Sequence, residues 1–280
     1  MTTTILQGKS LSQHQAEEIA SQLGGTLHGE QGYYSITSAQ PPEAQIADQL
    51  KQQYEVDINT RPEAFDPGQV KLLVTDMDST LISIECIDEI ADFIGIKPQV
   101  ADITEATMRG EIDFETSLRR RMALLKGLNQ SALDQVYDER LQLNPGAEEM
   151  VAGLQRQGIK VALVSGGFTY FTDKLKARLG LDYTLANTLA FEGGKLTGKI
   201  DDQIVGAQAK ADFLLQKCRE LGIHPSQAVA LGDGANDLLM MKEAGLSIAY
   251  HAKPKVQNEA DSALNYCGLE GVLGLLNLPT

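Results

Sequence analysis

The run Lys71-Leu72-Leu73-Val74 constrains this chain most, because it reads as a short buried strand that ends in Thr75-Asp76-Met77-Asp78-Ser79-Thr80. Two carboxylates, spaced by one residue, are thereby delivered to a strand's C-terminal end, where open α/β sheets bind their ligands. Asp-x-Asp also occurs in ordinary turns, where aspartate bonds its own backbone, and in calcium loops. The calcium loop is excluded, since the sixth and twelfth positions counted from Asp76 hold Leu81 and Ile87 instead of Gly and Glu. By itself the pair fits a turn as well as a phosphate or metal site.

Two further strand ends carry polar loops. Ile159 to Val164 reads as a buried strand running into Ser165-Gly166-Gly167-Phe168 and then a helix. Glycines there let the backbone approach a ligand, the helix start offers free N–H groups, and Ser165 adds a hydroxyl, the parts of a phosphate cradle. Ala228 to Leu231 runs into Gly232-Asp233-Gly234-Ala235-Asn236-Asp237, with a helix predicted over Leu238 to Ala244. This Gly-x-Gly start differs from a dinucleotide fingerprint, because Asp237 stands where the last glycine belongs and would repel pyrophosphate unless a metal intervened. Between them, Ala207 to Leu221 is predicted as a helix with Lys210 in its first turn, a placement that opposes the helix dipole and suggests a compensating anion. In a parallel sheet the three strand ends meet at one edge, so Asp76, Asp78, Ser165, Asp233, Asn236 and Asp237 converge. Oxygens for a hard divalent cation beside donors for phosphate suit phosphoryl transfer, in which a carboxylate attacks phosphorus and a second shuttles a proton.

Composition narrows the partners. The 280 residues carry a net charge of −14, which argues against a sequence-independent nucleic-acid grip and favours a cation helper. No apolar run approaches the roughly 20 residues of a membrane span, and the start lacks a signal-peptide pattern, so a cytoplasmic protein is expected. Cys86, Cys218 and Cys267 form no Cys-x-x-Cys pair and read as reduced structural thiols, and the four scattered histidines give no zinc site.

The first sixty residues have their own pattern. A strand over Thr3–Leu6, a helix over Ser10–Leu23, a hairpin about Gly29-Glu30-Gln31-Gly32, a helix from Pro41-Pro42 to Gln53 and a strand over Tyr54–Ile58 give the order β-α-β-β-α-β of a ferredoxin-like unit. Such a unit is similar to ACT regulatory domains, which bind amino acids or dimerise; a plain packing or dimerisation module fits equally. Residues 61–69, with two prolines and a glycine, read as a linker, and residues 70–280 as the main α/β domain.

Residues 82–143 interrupt the strand-helix alternation with helical patterns and read as an inserted cap. Its first helix, Ile84 to Gly95, places Asp88, Glu89 and Asp92 off the apolar stripe as a solvated face and Glu85 in the first turn, where it complements the dipole. Phe114, Leu118, Met122 and Leu125 form an apolar face. Of the run Arg119-Arg120-Arg121, Arg121 alone falls beside that face, where a guanidinium wants a carboxylate or phosphate partner, from a ligand or another side chain.

Asp76-x-Asp78-x-Thr80, Ser165-Gly166-Gly167, Lys210 and Gly232-Asp233-Gly234-x-Asn236-Asp237 follow the order of the four motifs of the haloacid dehalogenase superfamily, which residues 70 to 270 resemble. Asp76-Met77-Asp78-Ser79-Thr80-Leu81 with Glu85, Phe114-Glu115-x-Ser117-Leu118-Arg119-x-Arg121 and Val164-Ser165-Gly166-Gly167-Phe168 are similar to its phosphoserine phosphatase family. That resemblance implies a Rossmann-like doubly wound parallel sheet with a helical cap and hydrolysis of the small molecule O-phosphoserine, the last step of serine biosynthesis. It implies Asp76 as nucleophile, Asp78 as acid and base, and Mg²⁺ held by Asp76, the Asp78 backbone carbonyl and Asp233, with Asp237 ordering the surroundings. Ser165 and Lys210, helped by the Gly166 and Gly167 backbone, are implied to bind the phosphoryl group, with Asn236 supporting it. Glu85 is implied to meet the substrate ammonium, Arg121 its carboxylate, and Met108 and Phe114 to close over the site. Transfer to another hydroxyl, action on another phosphomonoester, and a non-catalytic amino-acid sensor are the competing readings.

Overall fold

The computed structural model describes residues 1–30, 32–200 and 203–279, and the side chain of Met108 lies outside the described set. In the first sixty residues, β1 (Thr2–Gln7), α1 (Gln13–Leu23), β2 (Thr26–Gly29), β3 (Tyr34–Ser38), α2 (Ala44–Tyr54) and β4 (Asp57–Thr60) follow in turn. The strands pair antiparallel in the order β2-β3-β1-β4, which is the split βαβ arrangement. Two boundaries differ from the sequence reading. Ser12 caps α1, accepting from Gln15 N while the Gln15 side chain accepts from Ser12 N, so that helix starts at Gln13 and not at Ser10. Tyr54 belongs to α2, where its hydroxyl reaches Glu18 of α1 at 3.0 Å, and Glu55 closes the helix at φ 52°, so β4 begins three residues later than expected. The turn residue Gln31 falls outside the described residues.

Polar side chains of β4 bind this unit to the rest. Asp57 is buried and accepts from the N–H groups of Asn265, Tyr266 and Cys267 at 2.8 to 3.1 Å. Asn59 exchanges two bonds of 2.9 Å with the backbone of Ala263. Ile5 and Tyr33 join the main core cluster from this side.

The main sheet begins with β5 (Leu72–Thr75), whose four residues are all buried, as a strand covered on both faces requires. Four cap helices follow the turn after it: α3 (Cys86–Phe93), α4 (Lys97–Met108), α5 (Phe114–Leu124) and α6 (Gln130–Glu139). The chain then returns through α7 (Ala147–Arg156), β6 (Lys160–Phe168), α8 (Thr169–Leu179) and β7 (Tyr183–Asn187). A hairpin, β8 (Leu189–Glu192) and β9 (Lys195–Ile200), reaches the cap, where Leu196 exchanges backbone bonds with Gly127 and Leu128. Next come α9 (Ala207–Leu221), β10 (Ala228–Gly232), α10 (Leu238–Glu243), β11 (Leu246–Tyr250), α11 (Pro254–Glu259), β12 (Ser262–Leu264) and α12 (Gly271–Leu275). The sheet is parallel in the order β12-β11-β10-β5-β6-β7, which makes β5 central and puts β10 and β6 on either side of it.

Asp88, Glu89 and Asp92, expected on a solvated face, lie off the core with Asp92 exposed, and there Arg140 at the end of α6 binds Glu89 at 2.8 Å and Asp92 at 2.6 Å, tying the first cap helix to the last. The strand β6 also runs four residues further than its apolar stretch, through Ser165-Gly166-Gly167 to Phe168. All three cysteines are buried free thiols. No helix among the described residues is long and apolar enough to cross a membrane.

Candidate active site

Parallel register assembles the site. Thr75 pairs with Leu231 of β10 and with Leu163 of β6, so Asp76, Asp233 and Ser165 follow side by side at one sheet edge. The Asp76 N–H donates to Leu231 O at 2.9 Å, which fixes where that carboxylate leaves the sheet.

Lys210 rises beneath Asp76 from the first turn of α9. It is 1 % exposed and binds Asp76 Oδ1 at 2.7 Å and Asp237 Oδ1 at 2.8 Å, so these two carboxylates are the anion that its place at a helix start called for. Burial alone would lower the ammonium's pKa; attraction to Asp76 and Asp237 outweighs it and raises the value. Burial and repulsion from Asp237 push the Asp76 carboxyl well above the ordinary range, against the pull of Lys210.

The other half of the Asp-x-Asp pair is held differently. Asp78 Oδ1 accepts from Cys86 N at 2.8 Å and Oδ2 accepts from the Ser165 hydroxyl at 3.1 Å. Burial raises this carboxyl too, with those two bonds opposing. Between Asp76 and the cap the chain makes a wide turn over Met77–Leu81 in which Ser79 adopts a φ of 57°, a costly geometry for a residue with a side chain. Asn144 sustains that turn by donating to Thr80 O at 2.7 Å and Ile82 O at 3.1 Å.

Backbone crowding explains two glycines. A Cβ on Gly167 would lie 2.8 Å from Asp78 Oδ2 and 2.9 Å from Met77 Cε, and one on Gly232 would lie 2.5 Å from the Asp237 carboxylate. In the third loop Thr80 donates to Asp233 Oδ1 at 3.0 Å, and Asp237 Oδ2 accepts from Gly234 N at 3.1 Å. Burial raises the Asp233 carboxyl.

A pocket of about 150 Å³ lies between this edge and the cap, lined by Asp76, Asp78, Asp233, Asn236, Gly166 and Gly167 below and by Glu85, Phe114, Leu118 and Arg121 above. Glu85 is the residue before α3 and not within its first turn. Its side chain is exposed at the rim while its head accepts from the Ser79 hydroxyl at 2.7 Å. Withdrawal of that head from water, followed by repulsion from Asp78, lifts its pKa to about 7. Arg121 projects inward from α5, its buried Nε without a hydrogen-bond partner among the described residues. Burial lowers the guanidinium pKa, and Asp88, Glu85 and Asp78 oppose that shift. Arg119 is engaged on the surface with Glu115 at 2.8 Å, so the arginines diverge as the helical spacing required. Ser165, Lys210 and Asp237 stand directly behind the lining. Met108 ends α4, and its side chain falls outside the described residues.

Residues 70–245 match the family model described as haloacid dehalogenase-like hydrolase. The chain belongs to that family. Within the haloacid dehalogenase-like hydrolases it is similar to a phosphoserine phosphatase of Polaromonas sp., 56% identical over 211 residues that cover 74% of this chain and 89% of that relative. A solved haloacid dehalogenase family hydrolase from Salmonella enterica subsp. enterica serovar Typhi superposes with a TM-score of 0.90 at 31% identity, covering 99% of both chains. The unliganded structure of a probable phosphoserine phosphatase from Vibrio cholerae superposes with a TM-score of 0.87 at 41% identity, covering 98% of this chain and 86% of that one.

The hydrolase site fits a hard divalent cation. Asp76, Asp233 and Asp237 each bring a carboxylate oxygen within 4.8 Å of the others, and Lys210 alone offsets little of that charge in a buried setting. Asp78 is not in this cluster, and its carboxylate accepts from Cys86 N and from the Ser165 hydroxyl. Sequence reading passed over Ser79 and Asn144, which position Glu85 and the Asp-x-Asp turn. Ser79 carried a signal in lying six residues before Glu85 along the same loop, whereas Asn144 lies 62 to 65 residues from what it bonds, a separation no local pattern spans.

Proposed function

We propose that this chain is a Mg²⁺-dependent phosphatase that hydrolyses O-phosphoserine to serine and inorganic phosphate through an aspartyl-phosphate on Asp76. The observation that carries the reading is the pairing, across one small pocket, of the Asp76 and Asp78 carboxylates with Glu85 and Arg121 of the cap. Phosphoserine has an ammonium, a carboxylate and a phosphate on a three-carbon frame, and the pocket offers a carboxylate, a guanidinium and a phosphoryl site. The similarity to proteins named phosphoserine phosphatase supports the same substrate.

The carboxylate of Asp76 attacks phosphorus, the phosphorus–oxygen bond to the serine side chain breaks, and Asp78 gives its proton to the departing oxygen. Burial raises the Asp78 carboxyl, the direction that favours a proton donor at this position. Asp78, now ionised, removes a proton from a water that attacks the aspartyl-phosphate, and phosphate leaves with Asp76 restored. Mg²⁺ held by Asp76, Asp233 and the Asp78 main-chain carbonyl would offset the repulsion between phosphate and carboxylates, with Asp237 ordering that cluster. Lys210 holds Asp76 in place and, with Ser165, Gly166 and Asn236, is read as receiving phosphoryl oxygens. Glu85 takes the ammonium, Arg121 the carboxylate, and Phe114 excludes water from above, a part that the resemblance also gives to Met108.

Three buried free thiols agree with a cytoplasmic setting. Residues 1–60 are read as a packing or dimerisation module, with amino-acid regulation as the alternative, and the bonds of Asp57 and Asn59 to residues 263–267 support the packing part. The deciding experiment measures phosphate release from phosphoserine with Mg²⁺, with EDTA and for Asp76→Asn. The expected loss in Asp76→Asn is on the order of 1,000-fold or more, and an unchanged rate sinks the covalent mechanism.

A further inference from the structure

Asn187, the last residue of β7, has no assigned part in the reaction. It is fully buried, and both its donors and its oxygen are engaged: Nδ2 donates to Gly166 O at 2.8 Å and to Gly167 O at 3.2 Å, and Oδ1 accepts from Val205 N at 2.8 Å.

The reason these bonds exist lies in the sheet. β6 and β7 pair regularly to Val164 with Leu185, and the next pair is Phe168 with Asn187. Three residues on β6 therefore face one on β7, and the surplus Ser165-Gly166-Gly167 leaves the ladder. Bulges of this sort re-aim side chains beside active sites, and they strand backbone carbonyls that must find partners. Asn187 supplies those partners from the neighbouring strand with one amide group.

The bonds continue towards the reacting atoms. Gly166 O and Gly167 N belong to one peptide plane, so a donor on the carbonyl fixes the direction of the N–H. That N–H donates to Ser165 Oγ at 2.8 Å, which leaves the hydroxyl hydrogen free to point the other way, onto Asp78 Oδ2 at 3.1 Å. On the opposite side, Val205 directly precedes Gly206, the residue that starts α9 and so places Lys210.

We infer that Asn187 is a positioning residue for phosphoryl transfer: through the Gly166–Gly167 peptide it aims the Ser165 hydroxyl, and through Val205 it holds that loop in register with the helix that carries Lys210. The inference rests on the reading of Asp76 as phosphoryl acceptor, with Ser165 beside it. Asn187 touches no reacting atom and acts only through these groups.

The test uses the full chain with Mg²⁺ and the variants Asn187→Asp, Asn187→Ala, Ser165→Ala and Asn187→Asp/Ser165→Ala. Asn187→Asp keeps the size and the acceptor for Val205 N but, when ionised, lacks both donors and adds a charge, whereas Asn187→Ala lacks the donors without the charge; a loss shared by the two, with circular dichroism showing each folded, is that of the carbonyl contacts. For Asn187→Asp the expected result is a kcat lower by about 30-fold with KM changed less than about threefold, the fold-loss that two missing hydrogen bonds produce. In the Ser165→Ala background the same change is expected to lower kcat by less than about threefold, because its route is already cut. Binding of inorganic phosphate by titration calorimetry is expected to weaken in each single variant and no further in the double. Wild-type kcat in Asn187→Asp, or losses that multiply fully in the double variant, overturns the positioning role. Wild-type protein that binds phosphate yet does not turn over phosphoserine overturns the substrate reading instead, and the calorimetric comparison still decides the inference.

Discussion

Replacing Lys210 with Met tests the buried centre of the site most directly. The stem of the side chain is nearly conserved while the ammonium disappears, leaving Asp76, 5 % exposed, and Asp237, fully buried, without their shared cation at 2.7 and 2.8 Å. Removing one partner of a buried pair costs roughly 3 to 5 kcal/mol, because the remaining charge keeps its desolvation penalty. At about 2 to 4 °C per kcal/mol for a chain of this size class, the melting temperature should fall by roughly 6 to 20 °C. The pH dependence has a definite sign. Asp76 already has a folded pKa above its unfolded value, so the folded state holds the proton more tightly and stability declines as pH rises from the unfolded to the folded pKa. Without Lys210 that folded value climbs further, so the loss should be larger at pH 8 than at pH 5.5. Thermal unfolding followed by circular dichroism in EDTA, at both pH values, measures this. A cation placed among the three carboxylates substitutes for the ammonium, so added Mg²⁺ should raise the melting temperature of the variant more than that of the parent. A variant that melts with the parent in EDTA at pH 8 would refute the claim that the ion pair bears on the stability of the empty site.

Arg121→Ala should lower kcat/KM on phosphoserine by on the order of 100-fold, as loss of one side of a buried charge pair does, and should change turnover of phosphoethanolamine, which lacks the carboxylate, by less than about fivefold; equal losses would remove its assigned role. Glu85 attracts an ammonium only when ionised, and its pKa of about 7 in the empty cleft means that kcat/KM for phosphoserine should rise with pH through that value. Glu85→Gln should flatten this rise, which steady-state rates between pH 5.5 and 8.5 will show. Neither Gly166 nor Gly167 has a positive φ, so alanine there is decided by space alone. Gly167→Ala would press on Asp78 Oδ2 at 2.8 Å and should lower kcat by roughly 10- to 100-fold. Gly166→Ala meets the Phe114 ring at 3.0 Å, which can move with the cap, and should cost less; the reverse ranking would contradict the geometry.

What the sequence revealed follows the range of the forces involved. The three strand ends were legible because each is a local pattern, an apolar run followed by acids or glycines, and because a parallel sheet brings such ends together whatever the intervening length. The position of Lys210 was legible as an electrostatic anomaly, and its partners Asp76 and Asp237 are those that the charge imbalance demanded. Arg121 was legible from helical spacing. The errors arose where a tertiary contact overrode a local pattern. Tyr54 alternates with Val56 and Ile58 like a strand residue, but its bond to Glu18 keeps it in α2. Glu89 reads as plainly solvated, but Arg140, about fifty residues away, folds back and half covers it. β12 is three residues long and depends on β11 and on Asn59 of the first unit, so no period within it could announce it.

The same distinction separates the residues that do chemistry from those that aim them. Nucleophile, acid and phosphate ligands must sit on loops at a strand end, and loop motifs are compact in sequence. The groups that hold such loops need only reach a stray carbonyl, and a carbonyl accepts from any donor with suitable geometry. Asn144 and Asn187 both solve this problem with a carboxamide: Asn144 serves Thr80 and Ile82 of the turn after β5, and Asn187 serves Gly166 and Gly167 of the bulge in β6. Asparagine suits the task because it brings two donors and an acceptor without charge, so it satisfies buried backbone without disturbing the balance among Asp76, Asp78, Asp233 and Lys210. A lysine or arginine in either place would add a cation near carboxylates that burial raises, with repulsion from Asp237 adding to the rise at Asp76 and Asp233. The neutrality of these two braces therefore leaves the charge balance of the site to Asp76, Asp233, Asp237 and Lys210 themselves.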